Sequence, residues 1–312
     1  MTTPNEFRDM LRGPVVAMTT PFKPDLSLDL DALRGLVEFY CKSGIGPLIV
    51  GGSTGEFFSL RMDERKAIVE VAVEQAAGRL PIIAGCSHSG TQLALELVQH
   101  AQETGANGAM VTPPYYSYSG FEGLYRHYET INNESDLGIM IYFSTAVLNQ
   151  VQDVIANPAL LFEICELANI AGFKDASKNY FFARDVAIAL KGKVAMVESG
   201  GMERFLWVWD YGAPSFITGL GNIWPEVEID FWNALGRGDR ETAKKIVHEK
   251  ELPYINFIKN KPRRYNYFAA VKALLDTVGE AGGPVRSPLL DWPEDDIPAL
   301  QGEMKRIGLL AG

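Results

Sequence analysis

The chain has 312 residues, 47% of them apolar, and a formal net charge of −10. Such a length and apolar share suit a globular protein with a sizeable core, and α/β barrels often run this long undivided. The acidic balance, without any Lys/Arg-rich block, speaks against nucleic acid as a partner, and no apolar run reaches membrane-spanning length.

Short apolar runs rich in β-branched residues alternate with longer stretches of helical period. The predicted strands are 14–20 (PVVAMTT), 47–52 (PLIVGG), 81–86 (PIIAGC) and 108–114 (GAMVTPP), then 138–144 (GIMIYFS), 170–176 (IAGFKDA), 194–200 (VAMVESG) and 215–220 (SFITGL). Their spacing, roughly 20 to 35 residues, accommodates one βα unit each. The segments between them read as helices. In 29–43, Leu30, Leu33, Val37, Tyr40 and Cys41 share one face and Gly44 ends the run; in 91–104, Ala94, Leu97, Val98 and Ala101 do the same before Gly105. Near-continuous apolar strands imply burial on both faces, hence a parallel sheet, and eight such units in series close into a (β/α)₈ TIM barrel. After residue 224 only helical patterns follow, at 226–236, 239–258, 264–279 and 295–308. They supply the last barrel helix and a C-terminal helical extension. Without a linker of low complexity, the barrel core (1–224) and the cap (225–312) are expected to form one structural domain.

Cys41, Cys86 and Cys165 are few, odd in number and far apart, which points to reduced thiols in a cytoplasmic protein. His88, His100, His127 and His248 form no HxH or HxxxH pair, so no metal site is expected. The start MTTPNEFRDM lacks the layout of a signal peptide.

A barrel of this kind carries its working groups at the carboxyl ends of the strands. Those positions offer Thr19 and Thr20; Gly52, Ser53, Thr54 and Glu56; His88; Tyr115 and Tyr116; Tyr142, Ser144 and Thr145; Lys174; Glu198 and Ser199; and Gly219 within TGLGN. Lys174 stands out because it ends strand 6. A free lysine, with a pKa of ~10.4, is neutral about once in a thousand near pH 7, and burial among apolar groups lowers that pKa. The neutral amine can attack a ketone and form a Schiff base, an electron sink that needs neither metal nor cofactor. Tyr142, on the adjacent strand, is the candidate proton carrier. The plainer alternatives are a solvated loop lysine and a core-packing tyrosine. In GGSTGEF, two hydroxyls and turn-exposed N–H groups can hold a carboxylate, with Glu56 fixing the loop. TGLGN and ESGG support a second reading, a phosphosugar-binding barrel.

Together these residues resemble the dihydrodipicolinate synthase and N-acetylneuraminate lyase family of class I aldolases over nearly the whole chain. The likeness rests on GGSTGEFFSL, on TPPYYS with EGLYRHY, on the tyrosine of IMIYFS and on AGFKDAS; GEFFSL, GFKD and GGPVRSPLLD are most similar to the branch containing 5-dehydro-4-deoxyglucarate dehydratase. The resemblance implies that Lys174 is the Schiff-base lysine, Tyr142 the proton-transferring tyrosine, and Ser53 and Thr54 the holders of the substrate carboxylate. It implies that Tyr116 is a further catalytic residue that reaches into a neighbouring subunit's site and joins the proton relay, within a homo-oligomer that is a dimer or tetramer. Many family members read Tyr-Asn-x-Pro at strand 5, whereas Tyr142 is followed here by Phe143, Ser144 and Thr145; Ala146, Val147 and Leu148 occupy the region in which the synthase places an arginine. The expectation is therefore an aldolase or dehydratase acting on a 2-oxo acid, such as a 2-keto-3-deoxy sugar acid or 5-dehydro-4-deoxyglucarate. The alternatives are a dihydrodipicolinate synthase or N-acetylneuraminate lyase-like aldolase, or a catalytically silent barrel that binds 2-oxo acids.

Overall fold

The computed structural model describes residues 2–117, 120–145, 151–261 and 266–311. Its first element is a helix outside the predicted set, α1 (Pro4–Met10). Thr3 starts it: its hydroxyl accepts from the Glu6 N–H while the Glu6 carboxylate accepts from the Thr3 N–H, and Pro4 supplies a preset φ at the first helical position.

Eight strands follow: β1 (Gly13–Ala17), β2 (Leu48–Val50), β3 (Ile82–Gly85), β4 (Gly108–Val111), β5 (Ile139–Ser144), β6 (Ile170–Ala176), β7 (Ala195–Glu198) and β8 (Ser215–Ile217). Each pairs in parallel with the next, and β8 returns to β1 through Gly13 and Ser215, closing the predicted barrel. Seven lie within the expected runs, and β1 begins one residue before its run, at Gly13. Several stop earlier: β2 ends at Val50 because Gly51 turns away at φ +70°.

The helices between the strands are α2 (Leu30–Ser43), α3 (Met62–Ala76), α4 (Thr91–Thr104), α5 (Gly120–Asn133), α6 (Val151–Ala156), α7 (Ala159–Ile164), α8 (Tyr180–Leu190) and α9 (Gly201–Val208). Then come α10 (Pro225–Gly236), α11 (Arg240–Ile246), α12 (Leu252–Lys259), α13 (Tyr267–Thr277) and α14 (Ile297–Arg306). The expected single helix over 239–258 is interrupted by a π-helical turn, Val247–Glu251, between α11 and α12.

Alternation along the strands divides the apolar residues into two layers. Val15, Ala17, Ile49, Ile83, Met110 and Val197 fill the barrel interior, whereas Val16, Leu48, Val50 and Ile82 pack with the helices outside. Phe7 and Leu11 belong to the interior layer and close the end of the barrel where the strands begin. Gly108 opens β4 because any Cβ there would collide with the Phe7 ring, which is 0% exposed. The plug holds the amino ends of the strands shut and leaves the carboxyl ends as the open mouth.

Candidate active site

Lys174 stands in register between Tyr142 on β5 and Val197 on β7, both of the interior layer. Its Nζ lies 3.9 Å from the centroid of the Tyr142 ring and 4.0 Å from the Met110 sulfur. Only 4% of the residue is exposed, and among the described residues no carboxylate forms an ion pair with it. Burial therefore acts unopposed and lowers its pKa from 10.5 to about 7. A group with that pKa is roughly half neutral near pH 7. Lys174 lies two residues before the end of β6 rather than at its last position, and its side chain is buried there.

Tyr142 is itself buried, which raises its pKa, while hydrogen bonds from the hydroxyls of Ser144 and Ser53 act the other way. One phenol is thus tied to β5 through Ser144 and to the loop after β2 through Ser53. In that loop the Glu56 N–H donates to the Ser53 carbonyl at 3.1 Å and the Phe57 N–H to the Gly52 carbonyl at 3.3 Å. Among the described residues the N–H groups of Ser53 and Thr54 have no acceptor. Gly52 faces Met110, whose methyl would be 3.3 Å from a Cβ at that position. The methionine that touches Lys174 thus also touches the loop with the hydroxyls, bringing amine, phenol and candidate carboxylate cradle around one point.

Glu56 fixes this loop, as expected, but through partners far away in the sequence. It adopts a left-handed conformation at φ +57°. Its Oε1 sits 2.6 Å from Lys272 Nζ, both side chains being essentially excluded from solvent, and its Oε2 accepts from the Arg286 N–H at 2.9 Å. Lys272 also donates to the Pro284 carbonyl at 2.7 Å. The Arg286 guanidinium grips Glu64 with two nitrogens, at 2.7 and 2.8 Å, and donates to the Leu26 carbonyl. The segment GGPVRSPLLD is therefore a strap sewn over the β2 loop. Its sequence carries no periodic signal for that contact, so Lys272 and Arg286 escaped the reading.

Other predicted positions have partners of their own within the chain. Glu198 follows the inward-facing Val197 and points outward, where Arg204 of α9 pairs with it at 2.9 Å. Asp175 stands beside it in register, and burial together with this neighbour pushes the Glu198 carboxyl up to about 8. His88 accepts from the Gly90 N–H at the start of α4. Gly219 donates its N–H to Glu228 and accepts from the Tyr267 hydroxyl, so both of its backbone polar groups are engaged within the chain. Tyr116 is 94% exposed and is not packed on the buried Tyr142 within one chain. Ala146, Val147 and Leu148 lie outside the described residues.

A 4-hydroxy-tetrahydrodipicolinate synthase of Bradyrhizobium diazoefficiens is 33% identical over 303 residues, spanning 96% of this chain and 97% of its own length. A probable 5-dehydro-4-deoxyglucarate dehydratase of the same organism is 30% identical over 310 residues, spanning 98% of this chain and 95% of its own. The crystal structure of dihydrodipicolinate synthase from Aquifex aeolicus matches with a TM-score of 0.84 at 28% identity, over 96% of this chain and 98% of that one. The dihydrodipicolinate synthetase family matches residues 10–307. With that span running nearly end to end, the chain belongs to the dihydrodipicolinate synthetase family and is a class I lyase of the kind that works through a lysine Schiff base.

Proposed function

We propose that this enzyme cleaves or dehydrates a 2-oxo acid such as a 2-keto-3-deoxy sugar acid or 5-dehydro-4-deoxyglucarate, with Lys174 as the Schiff-base residue. The observation that carries the reading is the burial of Lys174 Nζ over the Tyr142 ring, without a counter-ion. The neutral amine attacks C2 of the substrate; the carbinolamine then loses water, its oxygen protonated by the Tyr142 phenol, to leave the protonated imine. From there two outcomes share one electron sink. Either the bond beyond C3 breaks as the hydroxyl on the next carbon is deprotonated, its electrons entering an enamine. Or C3 loses a proton and the hydroxyl on the next carbon leaves as water. Hydrolysis of the final imine returns Lys174.

Ser53, Thr54 and Gly52 are the candidate cradle for the 2-oxo acid carboxylate, since the loop presents hydroxyls and unengaged N–H groups next to the amine. Ser144 supports Tyr142 from the other side. The reaction draws on no cofactor in this reading, because the lysine imine is the electron sink. Tyr116, exposed beside Tyr115 on the catalytic face, suits contact with a second copy of the chain, hence a homodimer or a tetramer. The similarity to 4-hydroxy-tetrahydrodipicolinate synthases favours a second reading, in which the same enamine adds to an aldehyde, the reverse of cleavage.

Borohydride reduction in the presence of pyruvate, followed by peptide mapping, tests the proposal. A pyruvate-derived adduct on Lys174 that is absent in Lys174→Ala supports it; no adduct at saturating pyruvate in the folded protein overturns it. Turnover across a panel of 2-keto-3-deoxy sugar acids, 5-dehydro-4-deoxyglucarate and aldehyde acceptors then separates the readings, and a trapped imine without turnover of any of them leaves the binding barrel.

A further inference from the structure

In barrels of this architecture a substrate phosphate is commonly held after the seventh and eighth strands, on backbone N–H groups at a helix start. ESGG after β7 and TGLGN after β8 have the composition for such a site. In TGLGN, and at the start of α9 just after ESGG, backbone N–H groups are already taken by carboxylates of the chain. Glu228, in the first turn of α10 and 0% exposed, places Oε1 2.8 Å from the Gly219 nitrogen and 3.0 Å from the Gly221 nitrogen. Glu251, the last residue of the π-helical turn, places Oε1 2.7 Å from the Met202 nitrogen and Oε2 2.7 Å from the Glu203 nitrogen, at the start of α9. Gly201 makes room for it: φ is +78° there, and a Cβ would run into the Glu251 Oε1.

We propose that Glu228 and Glu251 are specificity-determining residues, built-in acidic groups that fill both phosphate-type nests and confine the enzyme to 2-oxo acids without a phosphate group. The substrate class named here rests on the Schiff-base reading above, whereas the filling of the nests does not. An incoming phosphate would find no free N–H donors at these positions. To bind, it would have to expel a buried carboxylate and leave it without partners, a costly state for a polar group. It would also meet like charge at short range wherever the carboxylate stayed ionised. The π-helical turn gives this arrangement a backbone cause, since such insertions re-aim one residue of a helix and recur at functional sites.

Three measurements test the idea. Wild-type protein is titrated with inorganic phosphate to about 10 mM, read by thermal shift and by phosphorus NMR; no shift and no line broadening are expected, since a ligand of the native state raises its melting temperature. Glu228→Ala opens one nest, and its melting temperature is expected to fall and then recover with added formate or phosphate. Glu251→Ala repeats the test at α9 should Glu228→Ala fail to fold. Glu228→Gln, which keeps an acceptor at Oε1, is expected to lose less and to gain nothing from anions. Phosphate binding by wild type with a Kd below about 1 mM overturns the proposal. So does the absence of anion recovery in a folded alanine variant. With matched 2-keto-3-deoxy sugar acids bearing or lacking a terminal phosphate, kcat/KM is expected to favour the unphosphorylated partner at least 100-fold, and equal values overturn the specificity role. Failure to trap an imine on Lys174 with either substrate would sink the Schiff-base reading alone, because the phosphate titration and the anion recovery still decide the nests.

Discussion

Among the described residues two lysines are buried, Lys174 at 4% exposure and Lys272 at 1%, and they differ in what stands opposite the amine. Lys272 has the Glu56 carboxylate at 2.6 Å and the Pro284 carbonyl at 2.7 Å. Lys174 has a methionine sulfur at 4.0 Å and the face of a phenol. Burial lowers both pKa values, but at Lys272 the charge and hydrogen bond of Glu56 oppose the fall, whereas nothing opposes it at Lys174. Burial alone therefore does not make a nucleophile. An amine held in an ion pair ties two segments together; one left without a counter-charge loses its proton more readily, as the proposed mechanism requires.

The sharpest way to break this contrast is Lys174→Ala. Imine trapping with pyruvate should vanish and turnover should fall by about 10⁴-fold or more; an adduct on Lys272 in that variant would show that the contrast is mistaken. Tyr142→Phe removes the phenolic proton but keeps the ring over the amine. Turnover should drop by roughly 10²- to 10⁴-fold while the trapped imine still forms, and normal turnover would remove Tyr142 from the proton path.

Lys272→Met leaves Glu56 buried without its cation, which should cost about 3–5 kcal/mol in urea unfolding. Adding Glu56→Gln should restore much of that loss, because no charge then remains unpaired. Equal losses in the single and double variants would mean that shape, not charge, holds the strap. The smallest effect expected is on pH. In the proposed mechanism the reactive form of Lys174 is the neutral amine, and burial lowers its pKa to about 7, so kcat/KM should be lost as pH falls through about 7 and retained above it. Between pH 6 and pH 8 the rise should be roughly tenfold; a midpoint above pH 9 would show an amine that is still hydrated.

Much of this was legible locally. The eight strand positions follow from β-branched apolar runs, which satisfy a strand buried on both faces whatever the rest of the chain does. The apolar run of β6 stops at Phe173, three residues before the strand ends at Ala176, and this pointed to Lys174 near the carboxyl end, next to Tyr142. The hydroxyls of Ser53 and Thr54 were readable because glycines around them force a turn. The helix at 4–10 could have been read from Thr3, Pro4 and Glu6, a local start signal that the search for longer periodic segments passed over.

The remainder depended on pairs distant in the sequence. Arg286 meets Glu64, Lys272 meets Glu56, and Glu251 meets the start of α9. Each of these side chains read alone is an ordinary charged residue on a helix or in a loop, and no periodicity says which carboxylate it will face. The residues by themselves determined the barrel, its catalytic end and the amine placed there, because strand burial and turn chemistry are properties of short segments. Only the tertiary structure decided that Lys174 stays without a counter-charge while Lys272 has one, and that the glycine-rich loops after β7 and β8 are already filled. Both depend on which distant groups closure of the barrel and docking of the C-terminal helices bring within about 3 Å, where hydrogen bonds and ion pairs act.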